Sequence, residues 1–85
     1  MVVSKTMLGQ KLREMYDNAP YNEQVLMVHL FGIKFADIIK QNGYTSKQIV
    51  EAAGINSTYQ IEVNKGMKLA KYVEIKKSLD KFDII

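Results

Sequence analysis

The sequence predicts an all-α fold: a single small domain of four to five short helices. Three observations carry that expectation. Apolar residues recur at helical spacing along most of the chain. The breaks between these runs fall at Asp17-Asn18-Ala19-Pro20, at Asn42-Gly43 and at Gly54, residue types that end helices and make turns. The 47% hydrophobic fraction is that of an ordinary globular chain, and 85 residues suffice for one modest core but not for two.

The first helix is expected from about Ser4 to Asp17. Met7, Leu8, Leu12, Met15 and Tyr16 share one side, with Lys5, Lys11, Arg13 and Glu14 outside. Met7 and Met15 read as core filler, because a thioether adapts to irregular gaps. The only proline, Pro20, marks the turn after this helix.

Residues 22–42 are the most apolar part of the chain. Val25, Val28, Phe31, Phe35 and Ile39 suggest a buried helix, widened by Leu26, Leu30, Ile33 and Ile38. Gly32 sits mid-run and is expected to bend or split it. The Val25 to Phe31 run is also β-prone, which leaves a buried strand as a minority reading. This segment is the central element on which the rest packs.

Residues 45–66 are the most informative. Thr45 can cap a helix, and Gln48 three residues later completes a capping box. Ile49, Val50, Ala52 and Ala53 make an apolar side with small residues where a partner helix can approach. Gly54 stands where a helix ends in a left-handed residue, a conformation cheap only for glycine. Ile55 is expected in the core, Asn56 or Ser57 as the next cap, and Gly66 as a C-terminal stop or a hinge into further helix. At ~100° per residue, Tyr59, Val63 and Met67 form an inward stripe. Ser57, Thr58, Ile61, Asn64, Lys65 and Lys68 fall on the opposite side. Hydroxyls and amides bond to base edges, lysines pair with phosphates, and an aliphatic side chain meets a thymine methyl. The plain alternative is the polar outer face of any surface helix.

Two short helices broken by a tight turn are the layout of a helix-turn-helix. Through Gln48, Ala53, Gly54, Ile55, Ser57-Thr58-Tyr59, Val63 and Asn64-Lys65-Gly66, the stretch resembles the lambda-repressor and Cro-like regulators. The run from Gly54 to Ala70 is also similar to short bacterial proteins described as helix-turn-helix-like. The resemblance implies base reading by Ser57, Thr58, Ile61 and Glu62, with Asn56 and Lys65 nearer the backbone. The chain departs from that pattern at Val50, where alanine is usual, and at Gln60, where an apolar residue is usual. Glu62 is a further discord, since a carboxylate accepts from cytosine but repels phosphate.

Beyond Gly66, Leu69, Ala70, Val73 and Leu79 fit a further helix over residues 67–79, with a short strand at residues 72–75 as the alternative. Five lysines lie between Lys65 and Lys77 against the single Glu74, whereas residues 1–42 carry five cations and four acids. The positive charge therefore leans toward the second motif helix and the chain just beyond it, which suits Lys65, Lys68 and Lys71 to phosphate; a solvated lysine face is the alternative. The tail, residues 80–85, is expected to fray, to fold back through Phe82 and the isoleucines, or to dock on a partner.

Composition excludes much else. A net charge of +3 permits nucleic acid without demanding it. No cysteine means no disulfide and no cysteine-based zinc site, and one histidine makes the usual metal sites untenable. His29 lies inside an apolar run, where a hydrogen-bonded core histidine is the simplest reading. Glu14 and Asp17 read as a solvated helix end, and the scattered glycines form no phosphate-binding loop. No catalysis and no cofactor are expected. With no membrane-length apolar run and no signal-peptide centre, the chain is read as cytoplasmic.

The leading expectation is a DNA-binding regulator contacting double-stranded DNA through Asn56, Ser57, Thr58, Ile61, Asn64, Lys65, Lys68 and Lys71, with homodimerisation possible. The rival is a protein-interaction module on the same scaffold. RNA binding is a weaker third option, since few aromatics lie on that face.

Overall fold

Four helices run in order in the computed structural model, which describes residues 3–75: α1 Lys5–Asp17, α2 Gln24–Gln41, α3 Ser46–Ala53 and α4 Tyr59–Leu69. No strand occurs among the described residues, so the β reading of residues 25–31 gives way to helix. Ser4 caps α1, its Oγ accepting from the Met7 amide at 3.0 Å. Asn18 closes the other end, with its Nδ2 donating to the Glu14 carbonyl at 2.8 Å. Glu14 and Asp17, read as a solvated end, pair with Lys11 and Arg13 at 3.3 and 2.9 Å.

The core joins all four helices. Leu8, Leu12 and Met15 of α1, Val28, Phe31, Phe35 and Ile39 of α2, Ile49 and Val50 of α3, and Val63 of α4 are buried. Phe31 and Phe35 pack as a tilted pair with ring centroids 5.0 Å apart. Each such side chain contributes about 1.5–3 kcal/mol when fully buried, so ten of them dominate what holds so small a domain together. α2 packs chiefly on α4, and α1 on α3.

Three glycines make these packings close. A Cβ on Gly9 would come within 2.6 Å of the Ala52 Cβ, and one on Gly32 within 2.5 Å of the Val63 carbonyl oxygen. One on Gly66 would fall on the His29 carbonyl oxygen. Gly32 does not split α2, which runs unbroken for 18 residues; it is the point at which α4 crosses. Gly66 is likewise neither stop nor hinge but a buried residue inside α4. Only Gly43 and Gly54 do the expected work at helix ends, with φ of 70° and 72°.

Other expectations need correcting. Val25 and Leu26 are 43% and 52% exposed, and Met7 is 37% exposed, so none is core. α4 ends at Leu69, and residues 70–75 form a turn and irregular chain rather than a new helix or strand. Leu69 and Val73 are exposed. The expectations for Leu79 and for the tail lie outside the described residues.

Candidate nucleic-acid interface

The site begins with α3. Thr45 Oγ1 accepts from the Gln48 amide at 3.2 Å, and Gln48 Oε1 accepts from the Thr45 amide at 3.0 Å. This reciprocal pair is the capping box expected from the sequence, and it satisfies two otherwise unpaired donors. At the far end Gly54 takes the left-handed conformation (φ 72°, ψ 26°), and its amide returns to the Val50 and Glu51 carbonyls. Arg13 of α1 adds a tie that sequence reasoning missed. Its Nη1 donates to the Ala53 and Gly54 carbonyls at 3.3 and 3.5 Å, while its Nε pairs with Asp17. A cation at a helix C-terminus also suits the negative end of the helix dipole.

The turn hands over to α4 through Asn56. Its Oδ1 accepts from the Thr58 amide at 2.9 Å and from Thr58 Oγ1 at 2.8 Å. Asn56 thus closes the turn before the helix instead of capping it as expected: α4 begins at Tyr59, its N-cap position is Thr58, and no side chain caps it. Ser57 and Thr58 lie in the preceding turn, whose amide bonds reach back three residues, as in a tight first turn. With its hydroxyl proton committed to Asn56, Thr58 turns toward any further partner as an acceptor.

α4 is held from behind. Val63 and Gly66 are buried, and Tyr59 and Met67 are partly buried against the core, so the expected inward stripe stands. Tyr59 meets Tyr16 of α1 edge-on, with ring centroids 5.3 Å apart. Ile55 is partly buried against the core, and Gln60 is half-buried. Asn56, Ser57, Thr58, Ile61, Asn64, Lys65 and Lys68 are all exposed, on the turn or on one side of α4. Lys71 is exposed as well, but in the turn after the helix.

Glu62 behaves differently from the base reader that the resemblance implied. Its Oε1 lies 2.6 Å from His29 Nε2 and 3.7 Å from Lys65 Nζ. Hydrogen bonding to His29, and then the charge of Lys65, hold its carboxyl below the usual glutamate value, against desolvation. His29 is hydrogen-bonded as expected, but at the edge of the core, with 25% of its side chain exposed. No local signal joins two residues 33 positions apart; the apolar run around His29 only said that it needs a partner.

Among the described residues, no group of three or more His, Cys, Asp or Glu is placed to hold a metal ion. No helix among them is long and apolar enough to cross a membrane. A family model described as an HTH-like domain matches residues 4–76. No curated protein matches the chain, and no solved structure matches it.

Proposed function

The chain belongs to the HTH-like domain family, and from that premise we propose that it is a DNA-binding protein, a small cytoplasmic regulator acting without catalysis. The observation that carries the reading is the exposed side of α4. Ser57, Thr58, Ile61, Asn64, Lys65 and Lys68 stand in solvent on a helix and turn fixed from behind by the core, the Asn56–Thr58 bonds and Arg13. A rigid helix that offers hydroxyls, an amide, one aliphatic side chain and lysines has the chemistry of a major-groove reader.

In this reading, of the kind lambda-repressor and Cro-like regulators exemplify, Ser57, Thr58 and Ile61 meet base edges. Asn56 and Asn64 flank them, and Lys65, Lys68 and Lys71 hold phosphates. A homodimer would set two copies of α4 in successive major grooves about 34 Å apart.

The test is fluorescence anisotropy against a random-sequence duplex of about 30 base pairs, titrated from about 50 to 200 mM salt. Salt-dependent binding supports the reading; absence of binding at the lowest salt removes it.

A second reading is favoured by Ile61, which is 55% exposed at the middle of the same face. Leu69 and Tyr72, 42% and 83% exposed, extend apolar surface beyond it, and with Lys65 and Lys68 they line an open cleft of about 320 Å³. Such a face also suits a protein partner on an unchanged scaffold.

A further inference from the structure

We infer that His29 is a positioning residue for the DNA-facing side of α4: it draws the carboxylate of Glu62 into the α2–α4 groove and so leaves Lys65 only loosely paired and open to phosphate. The inference rests on the DNA-binding reading.

Glu62 is the only acid on α4, and it lies between the buried stripe and the exposed face. Two donors compete for it. The His29 contact at 2.6 Å is a full hydrogen bond, whereas Lys65 at 3.7 Å is a loose ion pair. Exposure tells the same story. The His29 and Glu62 side chains are 25% and 23% exposed, while that of Lys65 is 60% exposed. The glycine crossing makes the reach possible, because Gly66 lets α4 approach the α2 backbone at His29 itself.

Without His29, the nearest cation to Glu62 is Lys65, three residues along the same helix. A freed carboxylate tightens that loose pair, cancels one phosphate clamp and sets a negative charge beside the DNA. His29 thus acts on affinity through Glu62, without touching DNA.

Affinity and salt slope on one duplex test this in His29→Ala, Glu62→Gln and the double variant, with a thermal melt of each to establish folding. His29→Ala should weaken binding about three- to tenfold and flatten the log–log salt slope by about 0.9, the value of one phosphate contact. Adding Glu62→Gln should restore both, because the offending charge is gone. A purely structural histidine predicts instead a double variant as weak as His29→Ala. That outcome overturns the inference, as does wild-type affinity and slope in His29→Ala. Should His29→Ala fail to fold, His29→Phe, which keeps a ring in the groove without a donor for Glu62, takes its place with the same expected and overturning results. Failure of the wild-type protein to bind DNA removes the DNA-binding reading and this inference together. Binding by wild type with no effect of His29→Ala removes the inference alone.

Discussion

Gly66 of α4 lies against Gly32 of α2 so closely that neither has room for a β-carbon. A methyl group on Gly66 meets the His29 carbonyl oxygen and the Gly32 Cα, and backbone cannot step aside as a flexible side chain can. Gly66→Ala should therefore force the helices apart and cost about 2–3 kcal/mol or more in urea unfolding. Gly43→Ala is the control. Its φ is +70° with nothing within 4 Å of the new carbon, so it should cost only the left-handed strain, about 1–2 kcal/mol. Indistinguishable melts for Gly66→Ala and wild type would refute the close crossing.

The same glycine shows where sequence reading stops. A glycine late in a helical pattern has two physical uses, ending the helix or admitting a neighbour, and only the neighbour decides between them. For Gly66 that neighbour is Gly32, remote in sequence, so the stop was the natural expectation and the crossing was not. Features closed within one turn of chain were legible: the Thr45–Gln48 box and the left-handed Gly54 each need only residues beside them. The exposed side of α4 was legible for a related reason, since Val63 and its stripe fix which way the helix faces. Pairings across the fold, such as Arg13 with the Gly54 turn and His29 with Glu62, left no periodic trace. Val25 and Leu26 are apolar, yet which side of α2 is covered depends on where its neighbours lie.

The capping box gives a prediction confined to one turn. Thr45→Ala removes the oxygen that receives the Gln48 amide and should lower stability by about 1 kcal/mol, whereas Thr45→Ser, which keeps that oxygen, should stay within a few tenths. Denaturant midpoints at constant m-value are the measurement. An alanine variant as stable as wild type would mean that solvent serves this helix end equally well.

Glu62 predicts a dependence on acid. Its folded-state carboxyl, lowered chiefly by the His29 hydrogen bond, titrates below the ordinary value of 4.5. The unfolded chain therefore binds the proton first as pH falls, and stability declines with it. The contribution is whole above 4.5 and is lost as pH falls through the lower folded value. Comparing unfolding free energies of wild type and Glu62→Gln from neutral pH down through this window should show the wild-type advantage shrinking at the acid end. Parallel curves would show that the bond to His29 does not favour the charged form.

The lysines separate phosphate contact from a merely solvated face. Lys65 and Lys68 are exposed one turn apart on α4, so replacing either with alanine leaves no cavity. In the DNA reading each replacement weakens binding on every sequence alike and flattens the salt slope by about 0.9. Anisotropy titrations on two unrelated duplexes measure both effects. Unchanged slopes would take this side of α4 out of the interface.

Ile61 discriminates between the two proposed functions. It is 55% exposed, so Ile61→Asp buries no charge and should hold stability to within about 0.5 kcal/mol. Against DNA the new carboxylate replaces a methyl contact and faces phosphate, so binding should fall about tenfold or more on all sequences. In the protein-interaction reading the apolar contact at the centre of the face is lost, and any self-association of the wild-type chain should vanish while DNA binding is absent from both. Sedimentation velocity of the two proteins without DNA, beside anisotropy with it, separates these patterns. A variant that binds DNA as wild type does and sediments unchanged would exclude this face from both functions. The search would then move to the apolar end of α2, where Val25 and Leu26 also stand exposed.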